Sequence, residues 1–252
     1  MANHKEHPNI EKEDWRLQAI TTLTKEWKSP WTNVTHPTGT PVMSISLVRF
    51  LNSNLVLPLP NATALFLNFA YKLWQETQSF LINKDNFDQD KNRNFYPKNK
   101  SAFFDILEKR VAAIVFAYSA LESFANEKIP DDYIFEKERE DRRCTERFNK
   151  EQIERHVKLE VKLGEILPNL LAVSSPKGNF VWNKFKALQG LRDRIVHLKS
   201  HDRKSTGPEE ETIWKDILNV SMDNPALIAK EIIGYYLQEK DNKPRWFVKL
   251  PF

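Results

Sequence analysis

Apolar positions recur at intervals of three and four along much of the chain. After Asn61, which can cap a helix, Phe66, Phe69, Ala70, Leu73, Thr77, Phe80 and Leu81 fall on one face. From Ser101 to Pro130 the pattern is stronger, and from Val111 to Leu121 it is apolar nearly all round. That predicts the central helix of a bundle, with Ser101 as cap and Asp105 and Glu108 complementing the dipole of the early turns. Residues 131–154 carry nine acids and six bases, the pattern of a solvated helix face, and the helix is expected to continue through Ile153, Val157 and Val161. Another helix is predicted over 179–199, and further starts at Pro208 before Glu209–Glu211 and at Asn224–Pro225.

The N-terminal part is less regular. The segment 11–28, with Trp15, Ile20, Leu23 and Trp27, reads as a helix. Residues 29–60 fit either a short strand pair or a helix, and 83–100 read as a loop. The expected fold class is therefore all-α: a helical bundle with an additional N-terminal helical region. Its expected division is a partly irregular extension over 1–60 and a bundle over 61–252.

The most informative helix is 179–204. With Leu188 at zero and 100 degrees per residue, Val181, Leu191, Ile195 and Leu198 cluster around it, a core-facing stripe. Arg192 falls about 40 degrees away, inside or at the rim of that stripe. A guanidinium there needs a partner or a cleft. Asp193 and His197 are one turn apart on a second face, which Gly190 shares. A carboxylate so placed can orient an imidazole.

Charge changes the picture next. The chain has a formal net charge of +4, while 181–204 holds seven bases (Lys184, Lys186, Arg192, Arg194, Lys199, Arg203, Lys204) against Asp193 and Asp202. This stretch is suited to attract phosphate. The six glycines are never closer than twelve residues, which excludes a P-loop and a dinucleotide-binding glycine fingerprint. Phosphate recognition would have to come from side chains, with Lys184, Lys186, Arg194 and Lys199 as the candidate RNA contacts.

An imidazole can take a proton from a ribose 2′-OH, and an arginine can stabilise charge developing on a phosphate. The same three residues also fit a structural ion pair beside a surface histidine. A metal site on Asp193, His197 and His201 lacks a fourth ligand, so no metal or other cofactor is implied. There is no G-x-S-x-G, and one cysteine excludes an internal disulfide. No secretory signal or bilayer-length apolar run is visible, so a cytoplasmic location without membrane contact is expected. Trp182 lies off the core stripe, where packing is favoured over stacking on a base.

RDRIVH, Arg192 to His197, resembles the Arg-(Asn/Asp/His)-x3-His motif of the HEPN superfamily. AYSALESFANEKI (117–129) is similar to its earlier core helix, and KLEVKLGEILPNL (158–170) to its middle helix. The resemblance covers about 101–200. It implies an all-α bundle that usually dimerises, and metal-independent endoribonuclease activity leaving a 2′,3′-cyclic phosphate. On that resemblance Arg192 would hold the scissile phosphate, His197 would be the general base or acid, and Asp193 would orient them. Glu122 and Asn126 would support them, with Glu122 pairing Arg192. It further implies RNA as substrate, a homodimer, and a toxin or antiviral role with an antitoxin or regulatory partner. The alternative is a non-catalytic module that binds nucleotide or RNA, or forms a dimer, through the same residues.

Overall fold

A computed structural model of the chain describes residues 13–18, 20–30, 33–139, 144–205, 207, 211–238 and 243–252. It divides into two compact units, 1–65 with 243–252 and 66–242. The sequence reading set its division at 60/61 and assigned 243–252 to the bundle. In the structure that segment belongs to the N-terminal unit.

The N-terminal unit is β-rich. Its strands are β1 (Ile20–Thr22), β2 (Trp27–Lys28), β3 (Thr35–His36), β4 (Pro41–Met43), β5 (Ile45–Phe50) and β6 (Ser53–Pro58). They pair antiparallel as β1–β4, β2–β3 and β5–β6. The helix expected over 11–28 is therefore absent among the described residues, and 29–60 resolves into strands. Trp27 stacks on His36, its cross-strand partner, at 5.8 Å. The β5–β6 hairpin turns through Leu51 and Asn52, with φ 46° and 61°. Left-handed backbone at both turn residues is the type I′ geometry that matches strand twist. Leu47, Phe50, Leu51 and Val56 of this hairpin are exposed, and several of its side chains line an apolar concavity of about 1180 Å³ with Leu23 and Val34. A short C-terminal helix, Arg245–Val248, buries Trp246, and the Arg245 guanidinium donates to the Asp14 carbonyl at 2.8 Å.

The second unit is mainly helical. Helix α1 (Ala62–Ile82) is capped by Asn61, whose Oδ1 accepts from the Ala64 N–H at 2.9 Å. The expected loop at 83–100 holds a hairpin, β7 (Phe87–Gln89) with β8 (Phe95–Pro97), around Asp90. The Asp90 carboxylate accepts from the N–H groups of Asn92 and Asn94 and from the Tyr96 hydroxyl. Helix α2 (Lys100–Lys128) follows, capped by Asn99 rather than Ser101. Its central stretch is buried, including Ala113, Ile114, Ala117, Leu121 and Phe124.

The charged stretch after α2 does not continue as one helix. It forms a hairpin, β9 (Phe135–Arg139) with β10 (Cys144–Phe148), in which Glu136 pairs with Arg147 at 3.0 Å. Helix α3 (Lys150–His156) then opens on a capping box between Asn149 and Gln152. Helix α4 (Leu159–Val161), a π-helical turn (Lys162–Ile166) and α5 (Leu167–Leu170) follow. The motif helix is α6 (Phe180–Val196), capped by Asn179. After it come α7 (Ile213–Ile217) and α8 (Pro225–Tyr236), the latter opening at Asn224–Pro225 as expected. Of the start expected at 208–211, residues 208–210 lie outside the described residues.

The fold class is thus not all-α. Among the described residues ten strands form five two-stranded antiparallel sheets beside the helices. In β9–β10 opposite charges face one another across the strands, Glu136 with Arg147 and Lys137 with Glu146, a run of mixed charge whose composition does not separate it from a solvated helix.

The second unit's core lies between α2, α6 and α8. Phe124 approaches Tyr236, whose hydroxyl donates to the Leu163 carbonyl at 2.5 Å. Arg110 of α2 is fully buried and spans three segments. It donates to Thr77 Oγ1 and Gln78 Oε1 of α1 and to the carbonyls of Ile217 and Asn219. Its guanidinium lies 3.7 Å from the Trp74 ring centroid. Burial pushes its pKa down to about 10.

Candidate functional site

Helix α6 presents its residues as the wheel requires. Phe185, Leu188 and Leu191 are buried, and Phe185 stacks on Tyr118 of α2 at 6.5 Å. Trp182 packs on Phe185 at 4.9 Å, so that its face serves the interior. Arg192 sits at the rim of the core face, its side chain 30% exposed. Its Cζ lies 4.6 Å from the Tyr118 ring centroid, and its Nη1 donates to Asp193 Oδ1 at 2.9 Å. Burial raises the Tyr118 pKa, with the Arg192 charge opposing, so the ring under the cation is a neutral phenol at neutral pH.

Arg192 and Asp193 line a cleft of about 490 Å³. Tyr118 and Glu122 of α2 form a second wall, and residues 154–160, from the end of α3 into α4, form the third. Lys186 bridges walls across this space, donating to Glu160 at 3.0 Å and to Gln189 at 2.8 Å. Glu122 reaches the cleft, but among the described residues the carboxylate paired with Arg192 is that of Asp193. Asn126 is engaged elsewhere: its Oδ1 accepts from Lys162 Nζ at 2.8 Å.

Lys162, in the π-helical turn, is fully buried behind this cleft. Its ammonium also donates to the Glu154 carbonyl at 3.2 Å. Burial lowers its pKa, opposed by the charges of Glu122 and Glu154. The turn packs closely against its surroundings at Gly164, where an added Cβ would come within 2.5 Å of Lys177 Cε and 3.1 Å of the Trp182 ring.

His197 lies elsewhere. It is the C-cap of α6, exposed, and outside the cleft lining. Its N–H donates to the Asp193 carbonyl at 3.0 Å, while the Asp193 carboxylate is engaged by Arg192. The imidazole that lines the cleft with Arg192 is His156, the last residue of α3. On the sequence it falls within the helix expected to run from the charged stretch through Val157 and Val161, and the end of α3 at His156 is what brings it to the cleft. Lys162 was missed too, and its signal was a lysine between Val161 and Leu163.

The basic residues of α6 are largely paired. Lys184 bonds Glu231 at 2.5 Å, Lys186 bonds Glu160, and Arg194 bonds Asp216 at 2.9 Å and Asp202 at 3.1 Å. Lys199 has an exposed side chain, and its N–H donates to Asp202 at 3.3 Å. The carboxyl of Asp202 is held below the usual carboxylate range, first by the Ile213 N–H and then by the Lys199 N–H and the charges of His201 and Arg194. A Cβ at Gly190 would meet no atom within 4 Å, so this glycine marks open space rather than a close approach.

No protein-family model, curated protein or solved structure matches the chain.

Among the described residues no helix is long and apolar enough to cross a membrane. Among them, too, no group of three or more His, Cys, Asp or Glu residues is placed to hold a metal ion. Asp193, His197 and His201 share no helical face, because α6 ends at Val196 and His201 lies in a separate 3-10 turn.

Proposed function

We propose that the chain is a metal-independent endoribonuclease of the HEPN type, working through side chains at the Arg192 cleft. The observation that carries this reading is the Arg192 guanidinium, held between Tyr118 and Asp193 at the edge of a cleft. A cation fixed in place before the substrate arrives stabilises phosphorane charge without reorganising. In the reaction the ribose 2′-oxygen attacks the adjacent phosphorus and gives its proton to a base. The P–O5′ bond breaks, and the leaving 5′-oxygen takes a proton from an acid. The products are a 2′,3′-cyclic phosphate and a 5′-hydroxyl. His197, exposed at the end of α6, is one proton-transfer group, and a homodimer would bring a second α6 to it. A toxin or antiviral role with an antitoxin partner, and a cytoplasmic location, extend the same reading.

One observation favours a second reading. Lys184, Lys186 and Arg194 are already neutralised by carboxylates, which suits a non-catalytic module that binds a single phosphate or a second copy of the chain. Incubation of the purified chain with RNA in EDTA separates the two. The nuclease reading predicts cleavage that is lost in Arg192→Ala and His197→Ala proteins of unchanged melting temperature. RNA that is bound but left intact supports the binding module instead.

A further inference from the structure

We infer that His156 is a second acid–base imidazole of the Arg192 cleft, supplied by the same chain; this rests on the ribonuclease reading above. Cleavage of a phosphodiester by its own 2′-OH needs two proton transfers, one from the 2′-oxygen and one to the 5′-oxygen. The motif supplies one imidazole, and His197 is not part of the lining around Arg192. His156 is, and the wall that carries it is firmly built. Ile153 and Leu159, on either side of it, are buried. The capping box fixes the start of α3, and Lys150 ties it to Asp131 at 2.7 Å. Behind it, the buried Lys162 ammonium grips the Glu154 carbonyl. The His156 side chain itself is exposed and open to solvent from the cleft.

The charges facing this imidazole come from three elements. Glu122 faces it from α2, and Lys186, Arg192 and Asp193 from α6. Glu154, Arg155, Lys158 and Glu160 lie on its own segment. Arg192 lines the same cleft and can hold a phosphate beside this imidazole, so one site carries both the anion holder and the proton donor. In the reaction His156 in its imidazolium form gives its proton to the departing 5′-oxygen. The base that took the 2′-OH proton ends protonated, and the two groups exchange states without net proton uptake.

The test uses the full chain with two readouts. In the first, an RNA oligonucleotide is cleaved in EDTA by wild type, His156→Gln, His156→Asn and Glu151→Gln proteins across pH 5–9. His156→Gln and His156→Asn should lower kcat about 100-fold with little change in KM and remove one limb of the pH–rate profile, while Glu151→Gln, on the same helix but outside the cleft lining, keeps both limbs. In the second, an uncleavable 2′-O-methyl RNA oligonucleotide is titrated into histidine-labelled protein by NMR. The His156 ring signals should shift, and the shift should vanish in Arg192→Ala protein. Arg192-dependent cleavage that keeps its rate and both limbs in the His156 variants overturns this inference and leaves the nuclease reading standing. The absence of any Arg192-dependent cleavage or binding overturns both.

Discussion

The Arg192 guanidinium lies 4.6 Å from the centroid of the Tyr118 ring. The contact joins the motif helix to the central helix and fixes where the cation can meet an anion. Arg192→Lys retains charge but loses the planar stack and the forked donors. RNA cleavage by Arg192→Lys should fall about 100-fold, and by Tyr118→Leu by a smaller factor of about ten, in the range found when one preorganised donor or its support is removed. Steady-state kinetics on a short RNA checks both.

Arg110 should be the most sensitive residue for stability. Its removal leaves Thr77 Oγ1 and the Ile217 carbonyl without this donor in a buried setting, and Gln78 Oε1 and the Asn219 carbonyl without it in a half-buried one. Arg110→Met should cost about 3 kcal/mol or more in urea unfolding. Arg110→Lys should recover only part of this, because one ammonium cannot reach all four acceptors.

Lys162 should make stability rise with pH in the alkaline range. Its folded pKa is lowered below the ordinary 10.5 by burial. The folded protein therefore releases the proton first, and between the two values the unfolded chain holds more protons, so stability increases as pH rises. The burial cost is fully present at neutral pH. Urea unfolding from pH 7 to 10.5 should show this slope in the wild type and a shallower one in Lys162→Met.

Asp202 should act in the opposite range. Its folded pKa lies below the ordinary 3.8, so the stability it contributes is complete above that value and is lost as pH falls through the folded value. Asp202→Asn should unfold more readily at neutral pH and lose this part of the acid dependence. Acid titration followed by circular dichroism measures it.

The helices legible from sequence were those with an apolar stripe and a cap. Asn61, Asn179 and Asn224–Pro225 each open a helix where the pattern set it. The strands were hidden for physical reasons. The β5–β6 turn puts Leu51 at φ 46°, where a residue with a Cβ costs about 1–2 kcal/mol, so the usual Asn-Gly hairpin signal is missing. β1 to β4 are two or three residues long, too short for alternation to register. In β9 charge runs unbroken from Glu136 to Arg139, with no alternation to mark a strand, and this reads equally as a solvated helix.

At the site, the wheel placed Arg192 at the rim of the core and set Asp193 with His197 on a second face, whereas in the structure the Asp193 carboxylate turns to Arg192. The wheel could not show which carboxylates would reach α6. Glu160, Asp202, Asp216 and Glu231 come from four separate segments and neutralise three of the four lysines and arginines expected to meet RNA. The presence of His156 at the Arg192 cleft depends on how α3 ends, which is a tertiary fact.

The central claim is tested most directly by the chemistry of the ends produced from RNA in EDTA. The full chain is incubated with an oligonucleotide, in parallel with the Arg192→Ala protein, and the fragments are resolved by mass spectrometry. The account predicts fragments ending in 2′,3′-cyclic phosphate with 5′-hydroxyl partners, absent from the Arg192→Ala reaction. RNA that stays intact, or fragments ending in a 3′-hydroxyl, would contradict it.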